Sequence, residues 1–161
     1  MSAQTIIDTL QLLPHPEGGY YKETYRAATS ITTETGASRN VSTAIHYLLA
    51  DADKSHFHRI QSDELWFFHQ GQALEIVFIQ DKQLVTITLG NAIERGEVPQ
   101  AMIPANVWFG ARVKGEAGFA LVSCTVAPGF DFQDFELGRR EALLQEYPHL
   151  RAAIEQFTRS N

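Results

Sequence analysis

His56 and His58 stand one residue apart in the stretch SHFHRIQSDELWFFHQG, Ser55 to Gly71, and Glu64 follows six positions later. Residues i and i+2 of a strand point to one face, so the two imidazoles are expected side by side. On the next strand Glu64, Trp66 and Phe68 share one parity, while Leu65, Phe67 and His69 share the other. Trp66 and Phe68 are therefore expected to line the same cavity as Glu64. Two imidazoles and a carboxylate support two kinds of chemistry. They can ligate a divalent transition metal, since two His and one carboxylate suffice for a facial site with open positions. They can also move protons, with His58 as the base and Glu64 orienting and charge-stabilising its ring. A metal-free pocket is the first reading; a metal on His56, His58 and Glu64 is the alternative.

The elements that must hold these groups are mostly short strands. Residues 3–13 space Ile6, Leu10 and Leu13 at helical intervals behind Ser2 as a cap, and Pro14 and Pro16 end that helix. The loop PHPEGG carries His15 and Glu17, then GYYKETYRA reads as an aromatic strand with Tyr21, Glu23 and Tyr25 on one face. Tyr21 and Glu23 are pocket candidates, although the sequence leaves open which face is inside. The polar segment 27–40 is a loop or an edge hairpin. STAIHYLL (42–49) is a firmer strand carrying His46, a further candidate near the ligand. ALEIVFI and QLVTITL (73–79, 83–89) form a hairpin through Gln80-Asp81-Lys82. Pro104 leads a turn into another strand, and GFALVSCTV (118–126) is a near-continuous apolar strand with Cys124 as a small core residue. Two short helices are expected over 139–146 and 148–158, the second with Leu150, Ile154 and Phe157 as its stripe. His15, His69 and His149 receive no role.

With 161 residues, no repeat and no linker, the chain reads as one domain over 1–161. A net charge of −6 argues against nucleic acid as a partner, because phosphates need a basic face. One cysteine excludes an internal disulfide and fits a reducing compartment. With no apolar run of spanning length and no basic leader, the expectation is a cytoplasmic protein without a membrane partner. About eight strands divided by Gly and Pro turns, with helices at both ends, point to a mainly β sandwich or barrel of the jelly-roll type.

The order of motifs resembles the cupin superfamily. His56, His58, Glu64 and Gly71 follow its first motif, with one extra residue before Glu64. Pro104 to Phe109 follows its second, with Asn106 in place of the turn glycine and Phe109 in place of a histidine. LPHPEGGYYKETYR, STAIHYLL, IPANVWFGARV and FELGRREALLQEYP extend the likeness over nearly the whole chain, to the cupin 5 domain family of unknown function. The resemblance implies a double-stranded β-helix, similar in fold to nucleotide-sugar epimerases, and a homodimer. It implies a pocket in the barrel lined by His56, His58, Glu64, Trp66, Phe68 and Phe109, with a tyrosine such as Tyr21 or Tyr25 as an acid. It does not supply a reaction, because one fold hosts many chemistries.

Three functions fit. The first is binding, with isomerisation or epimerisation, of a sugar-like or apolar small molecule without a metal. The second is a metal-dependent cupin oxygenase or isomerase using His56, His58 and Glu64. The third is a non-enzymatic binding or sensing module.

Overall fold

Ser2 opens the first element: its hydroxyl accepts the Thr5 amide at 3.1 Å and caps helix α1 (Ala3–Leu10). Gln11 ends the helix in the left-handed conformation, φ 57°. The structure is a computed structural model that describes residues 1–160. Strands follow in the order β1 (Leu13–Pro14), β2 (Tyr20–Arg26), β3 (Ser30–Thr32), β4 (Ser38–Asn40), β5 (Thr43–Ala50), β6 (Lys54–Arg59), β7 (Asp63–Gly71), β8 (Leu74–Gln80) and β9 (Gln83–Leu89). They continue with β10 (Gln100–Ile103), β11 (Phe109–Val113), β12 (Phe119–Ala127) and β13 (Glu136–Leu137), and helices α2 (Arg140–Glu146) and α3 (Arg151–Phe157) follow. Among the described residues no helix is long and apolar enough to cross a membrane.

The strands form a six-stranded sheet, β1-β2-β5-β12-β7-β10, and a five-stranded sheet, β13-β6-β11-β8-β9, with β3-β4 as a separate hairpin. The ladders are antiparallel. Tyr47, Trp66, Ile76, Phe109 and Val122 fill the space between the two sheets. The C-terminal helices cover the outside of the smaller sheet, where Leu143, Ile154 and Phe157 pack on Phe57, Val77 and Trp108. Helix α1 covers part of the outside of the larger sheet through Ile6 on Leu48. The jelly roll is present, but the closed barrel is not: among the described residues no ladder joins the two sheets, which face each other as separate layers.

Segment 27–40 folds as the β3-β4 hairpin. Asn106 takes φ 65°, the left-handed turn position that a glycine would fill. Three strands carry one residue more than the strand they pair with. In β2, Glu23 faces Ile45 and Tyr25 faces Ala44, so one extra residue sits between them. In β6, Ser55 faces Ala111 and His58 faces Phe109. In β7, Phe68 faces Val122 and Gln70 faces Leu121, leaving His69 unpaired. Such bulges bend a strand and re-aim its side chains.

Candidate functional site

A cavity of about 410 Å³ opens beside β2, β5 and β12. It is lined by His15, Glu17, Tyr21, Glu23, Arg26, His58, Glu64, Cys124 and the rings of Phe130, Phe132 and Phe135, among others. Its walls depend on the bulges. After the extra residue of β2, Tyr25 stands opposite the outward Ala44 and is exposed, while Arg26 turns inward. Arg26 closes the rim by a pair of bonds to Glu23, 2.6 and 3.2 Å, and by bonds to Asn40 Oδ1 and the Phe130 carbonyl.

Glu17 enters the cavity because the two residues after it are glycines. Gly18 has φ 109°, and a Cβ there would lie 1.9 Å from the Lys54 carbonyl oxygen. Gly19 has φ 72°, and a Cβ there would lie 2.6 Å from the Tyr47 hydroxyl. Only glycine lets the loop press this close in that conformation. The loop is then pinned: Tyr47 donates to the Gly18 carbonyl at 2.6 Å, and the Glu17 carbonyl accepts both the amide and Nδ1 of His56, each at 2.7 Å.

The bulge in β6 breaks the expected pairing of the two histidines. Ser55 and His58 are both buried, whereas His56 turns to the loop and does not line the cavity. The partner of His58 is Glu17 rather than Glu64: Nε2 of His58 lies 2.8 Å from Oε2 of Glu17. Nδ1 of His58 lies 2.8 Å from the His56 carbonyl, which can only accept, so Nδ1 carries a proton. The short Nε2–carboxylate contact holds a second proton. Burial pulls the imidazole down, but the charge and hydrogen bond of Glu17, with the Glu64 charge, raise its pKa above the ordinary value. Burial pushes Glu17 up, and His58, with help from His15, outweighs this and holds it below the ordinary carboxylate value.

Glu64 has the opposite fate. Burial and the Glu17 charge push it up to about 8, against a smaller opposing pull from His58 and Cys124. At neutral pH the cavity therefore presents an imidazolium–carboxylate pair and a neutral carboxylic acid. The Cys124 thiol is driven well above its ordinary range by burial and by the Glu64 charge, so it is inert. His15 accepts the Glu17 amide at Nδ1, 3.1 Å, and burial lowers its pKa; it is a neutral ring stacked edge-on to Tyr21 at 4.6 Å.

Of the residues singled out from sequence, the cavity brings together His58, Glu64, Tyr21 and Glu23. Trp66 and Phe109 lie deeper, fully buried between the sheets, with Phe109 4.1 Å from the His58 ring. Phe68 shares their inner face and packs on the same core without reaching the cavity. His46 is on the opposite face of the larger sheet, beside Ser123. Sequence reasoning missed Glu17 and Arg26 as site residues and dismissed His15, which lines the cavity.

The metal centre expected of a cupin does not fit these residues. His56 is turned away to the loop, and both nitrogens of His58 are engaged by protein oxygens at 2.8 Å. The Phe109 ring packs against His58 in place of a further ligand. Among the described residues no three His, Cys, Asp or Glu side chains are arranged to hold a metal ion.

The family model described as cupin superfamily (DUF985) matches residues 4–138. The chain belongs to this cupin family. An uncharacterised protein of Saccharomyces cerevisiae is 33% identical over 148 residues, covering 83% of this chain and 73% of its own. Among solved structures, a protein from Shewanella oneidensis superposes with a TM-score of 0.93 at 40% identity, covering 100% of this chain and 99% of its own. A hypothetical protein from Leishmania major gives 0.92 at 38%, covering 99% and 100%. Oxalate decarboxylase from Bacillus subtilis shares the fold alone, with a TM-score of 0.56 at 10% identity, covering 89% of this cupin and 36% of the decarboxylase.

Proposed function

We propose that this cupin binds a small hydroxylated, sugar-like molecule in the cavity and moves a proton on it, in the manner of an isomerase or epimerase. The observation that carries the reading is that two buried carboxyl groups line one cavity in surroundings that push their pKa values apart, Glu17 downward beside His58 and Glu64 upward by burial beside Glu17. Environments that push the pKa values of neighbouring groups apart separate an acid from a base. Glu64, with a pKa of about 8, holds its proton near neutral pH and is matched to the general-acid task. Glu17, kept ionised by His58, is the acceptor. His58 has no free nitrogen, so its part is to position and charge-stabilise Glu17 rather than to act as the base.

The step is an enolisation. Glu64 gives its proton to a ligand carbonyl oxygen as Glu17 takes one from the adjacent carbon; the carbon–hydrogen pair becomes the new double bond and the carbonyl double bond opens. Return of a proton to carbon from the other face, or to the neighbouring carbon, completes epimerisation or isomerisation. Phe130, Phe132 and Phe135 offer apolar faces for a ring, while Glu23, Arg26 and Tyr21 offer hydrogen bonds at the rim.

The test is a thermal-shift screen of monosaccharides, sugar phosphates and nucleotide sugars, followed by incubation of the stabilising ligands in deuterium oxide. Carbon-bound deuterium that appears with wild-type protein, and disappears in Glu64→Gln while binding persists, is the expected result. Binding without exchange would make the protein a binding or sensing module.

A further inference from the structure

The outer face of the larger sheet, away from the cavity, gathers two imidazoles and a hydroxyl from three strands. His46 of β5 stands directly opposite Ser123 of β12. On the other side of β12, Ser123 faces Phe67 of β7, and the extra residue of β7 is His69. His69 lies diagonally across from Ser123 and reaches over it. Its Nε2 is 2.5 Å from Ser123 Oγ, and Nδ1 of His46 is 3.3 Å from the same atom. The two rings stand nearly perpendicular, 82° apart, with centroids 6.5 Å apart.

A hydroxyl has one proton, so Ser123 donates to one nitrogen and accepts from the other. Among the described residues these are the only hydrogen bonds the two imidazoles make. Two ring nitrogens thus aim at one point with only a serine hydroxyl between them. Neutral imidazole nitrogen is the preferred donor of borderline divalent ions, at about 2.0–2.1 Å from zinc. His69 is exposed and free to close that distance, and the open side of the sheet admits water to complete a tetrahedron.

We propose that His46, His69 and Ser123 form a surface site for a borderline divalent transition ion such as Zn²⁺, independent of the cavity. Here the nitrogens converge on one atom with no carbonyl or carboxylate engaging them; at His58 both are already committed to protein oxygens.

Titration of the full chain with Zn²⁺ by calorimetry, together with imidazole nitrogen NMR, tests the site. The expected result is one saturable ion per chain, with resonance shifts at His46 and His69 and none at His15 or His58. His46→Gln and His69→Gln should each weaken binding about tenfold or more, Ser123→Ala should weaken it less, and His149→Gln should leave it unchanged. Unchanged thermal unfolding of the metal-free variants would establish that they are folded, and the wild-type NMR shifts stand without any variant. Absence of saturable binding, binding that survives both histidine substitutions, or binding lost in Glu17→Gln instead would overturn the proposal.

Discussion

Along the β8-β9 hairpin every residue has a partner, from Leu74 opposite Leu89 to Gln80 opposite Gln83. Asp81 and Lys82 turn the chain with positive φ at both positions, the turn whose twist matches the strands it joins. Strands β2 and β6 each hold one residue more than their partners. The regular hairpin alternates and packs: Ile76 and Phe78 face the other sheet while Val77 and Ile79 face the helices. The bulged strands do not alternate, and that irregularity brings Arg26 and His58 to one cavity. Regular ladders build the core of this molecule, and departures from them build its site.

Substitutions separate the two regions, and the largest effect is expected at Gly18. Gly18→Ala forces a Cβ onto the Lys54 carbonyl in a left-handed conformation and pulls Glu17 off His58. Together these should lower stability by about 5 kcal/mol in urea unfolding. Glu17→Ala leaves the loop in place but strands a buried imidazolium, at a cost of about 4 kcal/mol. Equal losses in the two variants would show that the glycine serves only to seat the carboxylate.

Glu64→Gln should act in the other direction. The folded protein keeps the Glu64 proton up to about pH 8, whereas the unfolded chain releases it near its ordinary value. The folded state therefore binds the extra proton between those limits, and stability falls as pH rises through that window. Glu64→Gln removes this fall, and its advantage over wild type should grow across the window to on the order of 5 kcal/mol. The Glu17–His58 pair has the opposite edges. Its contribution is lost as pH falls through the depressed Glu17 pKa, and lost again as pH rises through the raised His58 pKa. Denaturant midpoints measured from pH 2 to 9 check both slopes. Ile87→Val, on the regular hairpin, should cost only about 1 kcal/mol and leave both slopes unchanged.

This contrast also explains what could be read from the sequence. Apolar and β-branched runs bounded by turn residues located β8, β9 and β12, and helical spacing found α1 and α3. The two-residue period of a strand placed His56 beside His58 and Tyr25 beside Tyr21, and failed at both because a single inserted residue changes parity without a local signal. Glu17 was hidden for another reason. Its partner is 41 positions away, and only the fold brings them together. The Gly-Gly pair after it was the available clue: two consecutive glycines behind an acid, in a loop stiffened by prolines, mark a close backbone approach. Phe109 was expected in the cavity lining; it packs against the His58 ring instead and does not line the cavity.

The central claim is that the cavity holds two carboxyl groups in opposite states beside an imidazolium. Carboxyl-carbon and imidazole-nitrogen NMR titration of wild-type protein tests it directly. At pH 7, His58 should carry protons on both nitrogens, Glu17 should be ionised, and Glu64 should be protonated with a midpoint of about 8. A Glu64 midpoint near the ordinary carboxylate value, or a neutral His58 with one bare nitrogen, would contradict the account.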